Sequence, residues 1–133
     1  GWCCRVKDVY KLTIPGELPV LNEIISASKQ GKGKWQPYAA MKKEYTEKVA
    51  MLAKVDINKS FKKVDILIRW VCKNRKKDKD GITAGTKFIL DGLVLAGVIK
   101  NDGWRQIGDI FHRFDVDKKD PRVEVYIQPR GLN

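Results

Sequence analysis

The chain has few of the residues that build several common kinds of site. It contains a single histidine and three cysteines, and the adjacent pair Cys3 and Cys4 lies far from Cys72. This spacing does not match that of a zinc site. An odd number of cysteines without a framework spacing argues for a reducing compartment rather than a disulfide scaffold. No P-loop, no G-x-G-x-x-G motif, and no Ser/His/Asp or Cys/His arrangement can be identified.

Long apolar runs are also missing from the sequence. No run approaches the roughly 20 residues that a membrane-spanning helix needs, so we expect no membrane association. Residues 1–8 quickly become charged, which predicts no signal peptide. The length of 133 residues and a hydrophobic content of 43% favour one soluble globular domain that spans residues 1–133.

Acidic residues are too few to balance the basic ones, and the net charge is +11. The whole excess lies between residues 29 and 87, where 17 Lys and Arg face 6 Asp and Glu, whereas the rest of the chain has equal numbers. A localised basic excess is typical of proteins that bind a polyanion such as nucleic acid. A solvated lysine face that only keeps the protein soluble is the alternative.

Alternating apolar and polar residues predict strands, and apolar spacings of three and four predict helices. The predicted strands are 9–14, 61–72, 109–117 and 123–127, and the predicted helices are 37–55 and 81–98. We expect the last two strands to form a hairpin. The order β-α-β-α-β-β predicts an α+β fold in which a small mixed sheet packs against two main helices.

Three further features of the pattern carry predictions. Residues 15–34 are predicted to be a loop whose glycine-rich tract brings Lys32 and Lys34 to phosphates, or else a surface loop without a ligand. His112 lies in an alternating apolar row, which favours a hydrogen-bonded core histidine over a catalytic one. Cys72 shares a strand face with apolar residues and is predicted to be a small core residue.

The residues with the most chemical potential lie between Lys73 and Asp102. Asp78 and Asp80 are two positions apart, so an extended backbone would project both carboxylates to one side. Mg²⁺ prefers such hard oxygen ligands, and a bound Mg²⁺ can activate water for phosphodiester hydrolysis. Asp80 could instead cap the helix that follows. The surrounding basic run supplies candidate DNA-binding residues, which are Lys73, Arg75, Lys76, Lys77 and Lys79.

The predicted helix 81–98 is apolar on almost every side and carries only the charges Lys87 and Asp91. Burying unpaired charges is costly, so these two must find partners or line a site. Lys87 is predicted to meet the scissile phosphate, and Asp91 either orients it or forms a plain salt bridge with it. Asp102, after the helix, could complete an acidic cluster with Asp78 and Asp80, or it could simply belong to an Asn-Asp-Gly turn.

Over residues 76–102, in KKDKDG and TKFILDGLVLAGVIKNDGW, the sequence resembles the RusA family of Holliday junction resolvases. Asp78 and Asp80 match the family's first two acids, Lys87 its catalytic lysine and Asp102 its last acid. The PRVEVYI segment is also similar, and two prolines followed by Asn22 form a weaker match.

The sequence departs from the family pattern at three places. Gly81 replaces the usual asparagine, the spacing from Asp80 to Lys87 is three residues longer than in the best-known member, and Asn101 stands where an acid can occur. The resemblance implies a cytoplasmic, homodimeric endonuclease of a bacterial or phage-infected cell. It would use Mg²⁺, or Mn²⁺ as a substitute, to nick four-way DNA junctions symmetrically in recombination and repair, and would take no small-molecule substrate. The alternatives are a non-catalytic DNA-binding protein of the same fold and a metal-dependent nuclease for another substrate, such as a flap or RNA.

Overall fold

A computed structural model of the chain describes residues 8–33 and 36–130, so Cys3, Cys4 and Lys34 lie outside the described residues. The elements are β1 (Tyr10–Pro15), α1 (Leu21–Lys29), α2 (Pro37–Asp56), β2 (Val64–Cys72), α3 (Lys79–Thr83), α4 (Thr86–Leu95), β3 (Ile107–Val116) and β4 (Arg122–Pro129). The predicted α+β fold is confirmed, with two helices in each of the two helical regions. None of the described helices is long and apolar enough to cross a membrane.

The four strands form one mixed sheet in the order β1-β4-β2-β3. Strand β4 is antiparallel to both of its neighbours, whereas β3 runs parallel to β2 at the edge. The predicted hairpin between β3 and β4 is therefore wrong. Three consecutive residues of β4, Val123 to Val125, are buried, while most of β3 remains partly or fully exposed. The better-buried strand takes a central position, where a neighbouring strand pairs with each of its edges.

The hydrophobic core lies between one face of the sheet and the helices α2 and α4. Burying a Leu, Ile or Phe side chain stabilises a fold by about 1.5–3 kcal/mol, so the alternating apolar residues anchor each strand to the helices. Fully buried side chains of this layer are Leu12, Ile14, Val49, Ile66, Ile68, Phe88, Ile89, Leu93, Val125 and Ile127. Pro37 starts α2 as predicted, at a position where its missing N–H costs nothing.

The helix predicted over 81–98 is broken into α3 and α4 at Ala84 and Gly85. A Cβ atom at Gly85 would lie 3.1 Å from Leu18 Cβ and 3.2 Å from Trp70 Cζ3. The backbone therefore passes closer to the Trp70 ring than a side chain would readily permit. This close approach turns the chain between the two helices, and it was not visible in the periodicity.

The loop predicted over 15–34 contains a helix, α1. Its start is stabilised because the Glu23 carboxylate accepts a hydrogen bond of 3.1 Å from the backbone N–H of Val20. Only Ala27 of this helix is buried. Leu21, Ile24 and Ile25 nevertheless follow the helical spacing of three and four residues, a signal that the neighbouring prolines and glycines outweighed in the prediction. The helix places Asn22 in its first turn, which becomes important for the site described below.

The predictions of a core position for Cys72 and for His112 have different outcomes. Cys72 packs against the hydrophobic core in a half-buried position, and burial raises the pKa of its thiol. His112 is exposed on the edge strand, so its predicted core position is wrong. Its ring is nevertheless hydrogen-bonded, because Nδ1 accepts the indole N–H of Trp70.

Candidate metal and nucleic-acid site

Asp78 and Asp80 follow the end of β2 and flank the start of α3. Asp78 is the extended residue that precedes the helix, with φ −75° and ψ 149°, and its side chain makes no capping hydrogen bond to the described residues. Asp80 lies in the first turn, where its Oδ1 accepts a hydrogen bond of 2.9 Å from the N–H of Gly81. The helix therefore begins after Asp78 rather than after Asp80, so the capping position belongs to the other aspartate.

Both carboxylates line one open cleft of about 270 Å³. We call it the acidic cleft; its lining residues are Val20, Leu21, Asn22, Lys76, Lys77, Asp78, Asp80 and Gly81. Two carboxylates and an amide oxygen are the kinds of hard ligand that Mg²⁺ takes in proteins. Asn22 was not among the predicted site residues, and the only sequence signal for it was the pair of prolines that precedes it.

The basic run is tied by two glutamates, one in α1 and one in the segment that precedes it. Lys77 Nζ lies 3.8 Å from Glu17 Oε1 and 3.9 Å from Glu23 Oε1. The backbone N–H of Lys73 donates a hydrogen bond of 3.0 Å to Glu17. Ion pairs as exposed as these add little stability each. Their consequence is positional, since they hold the segment that carries Asp78 against the helix that carries Asn22.

Asp102 does not join this cleft within one chain. It precedes β3, whose first residue pairs with Val64 at the start of β2, whereas Asp78 follows the end of β2. The segments that carry the two aspartates therefore lie at opposite ends of a nine-residue strand, whose ends are about 26 Å apart at ~3.3 Å per residue, and Asp102 does not line the cleft. Across residues 8–33 and 36–130, no group of three or more acidic, Cys or His side chains could hold a metal ion.

Lys87 and Asp91 form a salt bridge on the surface of α4. The ammonium of Lys87 lies 3.6 Å from Asp91 Oδ2, and Lys42 approaches the same oxygen at 3.9 Å. That oxygen is buried and has no hydrogen-bond partner in the described part of the chain, so these two ammonium groups are its compensation. Lys87 does not line the acidic cleft.

A second, larger depression lies beside the acidic cleft, and we call it the basic groove. Its volume is about 630 Å³, and its lining residues are Cys72, Asn74, Arg75, Lys77, Lys79, Ile82, Phe114, Asp115 and Val116. Lys77 lines both depressions and separates them. The five predicted DNA-binding residues between Lys73 and Lys79 are all exposed around these two openings, and Lys32 is exposed after α1.

Charged side chains form a network on the face of the sheet away from α2 and α4, and one of them, Asp115, also lines the basic groove. Arg69 donates to Asp115 at 2.6 Å and to Glu124 at 3.1 Å, which joins three strands. Burial disfavours the charged form of Glu124, but hydrogen bonds from Tyr126, Arg122 and Arg69 outweigh it and lower its pKa from 4.5 to about 2. Sequence reasoning missed Glu124, because its neighbours are recognisable only once β4 is placed between β1 and β2.

Comparisons with known proteins add no assignment. No protein-family model matches the chain, and no curated protein is significantly similar to it. The likeness to the RusA resolvases therefore rests on the residues of the sequence alone.

Proposed function

We propose that the protein is a metal-dependent endonuclease of the RusA type that resolves four-way DNA junctions. The observation that carries the proposal is the acidic cleft. Asp78 and Asp80 share it with Asn22, and Lys76 and Lys77 border it. The acids thus lie within the segment that holds the whole basic excess of the chain.

Different residues of the acidic cleft have different roles in the proposed reaction. Asp78, Asp80 and Asn22 would hold Mg²⁺, or Mn²⁺ in its place. The ion would supply charge compensation at the phosphate and a nucleophilic water. Lys76 and Lys77 attract the DNA backbone towards the carboxylates, which would otherwise repel it.

Asp102 takes part in this proposal through a second copy of the chain. Within one chain it lies at the far end of β2 from Asp78 and Asp80. In a two-fold dimer, a surface position of one copy that meets a different position of the other copy does so twice, once in each direction. Asp102 of one copy can then complete the acidic cleft of the other, and a dimer would carry two such sites. Two equivalent sites suit paired nicks across a two-fold symmetric junction.

Substitution of a cleft acid tests the catalytic assignment. We expect Asp80→Asn to abolish cleavage of a four-way junction in Mg²⁺, because a metal ligand is lost. Junction binding should persist or improve, because a negative charge is removed from a basic surface. Asp56→Asn, an exposed change at the end of α2, is the matched control. Mg²⁺-dependent cutting by Asp80→Asn at the wild-type rate would overturn the assignment.

Mixing two inactive variants tests whether a site is shared between copies. In a heterodimer of Asp80→Asn and Asp102→Asn chains, a shared arrangement leaves one site with all of its acids intact, so nicking activity should return. If each site belonged to a single chain, every site in the mixture would lack an acid. Inactivity of co-expressed, verified heterodimers would therefore exclude the shared site while leaving the Asp80 result standing.

The two alternative functions are separated by the substrate assay. A wild-type protein that binds junctions but does not nick them in Mg²⁺ or Mn²⁺ would be a non-catalytic DNA-binding protein. Comparison of four-way junction, flap, RNA and linear duplex distinguishes a resolvase from a nuclease with another substrate. Faster cleavage of the flap or the RNA than of the junction would contradict the resolvase proposal.

A further inference from the structure

The basic groove combines an apolar interior with a cationic rim. Ile82, Phe114 and Val116 provide the apolar part, and Arg75 and Lys79 lie with Lys77 among the lining cations. A volume of about 630 Å³ falls in the usual range of about 300–1,000 Å³ for sites that take a small organic group. The groove is therefore large enough for one nucleotide and too small for stacked base pairs.

The one acid of the groove lining is already compensated. Asp115 accepts a hydrogen bond of 2.6 Å from Nε of Arg69, and this bond lowers the pKa of the Asp115 carboxyl. The lysine and arginine side chains of the rim are therefore not balanced by acidic side chains of the groove lining. A polyanion is the ligand with the complementary charge.

Phe114 contributes a partly buried aromatic ring to the groove, and the ammonium of Lys79 lies over this ring, 5.2 Å from its centre, at the place that a stacked base would take. Proteins that bind single-stranded nucleic acid combine an aromatic ring, on which a base stacks, with cations that follow the backbone. Asn74 adds an amide group to the lining, which can hydrogen-bond a base edge. The same groove thus has a surface for the base and charges for the phosphate.

The groove adjoins the acidic cleft because Lys77 lines both. We propose that the basic groove binds one unstacked nucleotide of the DNA strand whose scissile phosphate lies in the acidic cleft. The inference rests on the proposed nuclease function, and it adds a reason why the protein would prefer a junction to a duplex as its substrate. A base at the exchange point of a junction can leave the stack at less cost than a base within a continuous duplex.

Abasic junctions combined with variants of Phe114 test the proposal. Binding is measured on the Asp80→Asn background, so that no strand is cut. We expect Phe114→Ala to weaken junction binding roughly five- to hundredfold, the range found when one stacked base is lost. Removing the base at one position near the exchange point should weaken binding by the parent protein to the same degree. The two losses should not add, because both remove the same contact.

Three further variants control this experiment. Phe114→Leu keeps an apolar side chain and should still lose the contact, whereas Phe114→Trp should restore it. Tyr10→Ala removes an aromatic ring from β1, at the opposite edge of the sheet from Phe114, and should show no coupling to the abasic position. Additive losses at every abasic position, or full binding by Phe114→Ala, would overturn the groove assignment.

The outcomes also separate this inference from the proposed function. If Phe114 shows no coupling while the wild-type protein still nicks junctions and Asp80→Asn does not, only the groove assignment fails. If coupling is found but the wild-type protein does not nick DNA in Mg²⁺ or Mn²⁺, the groove assignment holds and the nuclease proposal fails. A protein that binds no junction DNA contradicts both.

Discussion

The indole N–H of Trp70 donates a hydrogen bond of 2.9 Å to Nδ1 of His112, across the parallel pairing of β2 and β3. The two rings are also stacked, with centroids 6.1 Å apart and planes 22° apart. Nδ1 can accept this bond only while it carries no proton, so the contact requires a neutral imidazole. The edge strand is thus joined to the centre of the sheet by a contact that depends on pH.

Stability should fall when the solution is acidified through the range in which free histidine titrates. Although the side chain of His112 lies at the surface, its ring is partly desolvated, and this partial desolvation lowers its pKa below the ordinary value of 6.5. The unfolded chain therefore binds more protons than the folded one, and the contribution of His112 is complete above pH 6.5 and decreases below it. Urea denaturation at pH 7.5 and pH 5.5 measures the difference. His112→Gln should reduce this pH dependence; an unchanged dependence would show that other groups cause it.

Glu124→Gln should destabilise the protein strongly, although glutamine is close to glutamate in size. The residue is 3% exposed and is hydrogen-bonded to Arg69, Arg122 and Tyr126. Removing its charge leaves two arginines without their shared partner, which should cost roughly 2–4 kcal/mol after allowance for the partial exposure of both arginines. Denaturant unfolding at pH 7 measures the loss. Glu47→Gln, at an exposed position of α2, should change stability little.

The same carboxylate predicts a second pH range of instability. Its pKa falls from 4.5 to about 2 on folding, so its contribution is complete above pH 4.5 and is lost as the pH falls from 4.5 towards 2. The difference in unfolding free energy between wild type and Glu124→Gln should therefore shrink below pH 4.5. A difference that stays constant from pH 7 to pH 3 would contradict the low pKa.

Gly92→Ala should weaken the packing of α4 on α2. A Cβ atom at this position would lie 2.5 Å from Cβ of Val49, which is far inside normal contact distance. Overpacking of this kind typically costs about 1–3 kcal/mol. Gly81→Ala is the matched control, since an added Cβ there meets no described atom within 4 Å. Thermal unfolding of both variants checks the cause: Gly92→Ala should lower the midpoint and Gly81→Ala should not, and an unchanged midpoint for Gly92→Ala would contradict the overlap with Val49.

Lys87 and Lys42 should differ in their effect on cleavage although both approach Asp91. If Lys87 meets the phosphate, as the resemblance to the resolvases implies, Lys87→Ala should slow junction cleavage by roughly a hundredfold. Each ammonium group is about half exposed, and each variant leaves the other lysine beside Asp91, so neither alanine variant should change stability by more than about 1 kcal/mol. Single-turnover cleavage, compared with denaturant unfolding, measures the two effects. Equal cleavage by both variants would reduce Lys87 to a salt-bridge partner.

Local pattern was sufficient for much of the architecture. Alternation around Leu12 and along Val64–Cys72 predicted β1 and β2, and Pro37 marked the start of α2. These elements are recognisable because one face of each is buried, and the burial repeats with the period of the strand or helix. Helix α1 was missed although Leu21, Ile24 and Ile25 have helical spacing, because prolines precede it and a glycine-rich tract follows it, and both favour a loop.

The sequence by itself determined the residue types of the candidate site and their concentration between Lys73 and Asp80. Tertiary structure alone decided which of them meet. It placed Asn22 beside Asp78 and Asp80, separated Asp102 from them by the length of β2, and inserted β4 between β1 and β2. Spacing along the chain reports only neighbours within one element. Strand order and the approach of distant segments follow instead from competition for burial among all the elements at once.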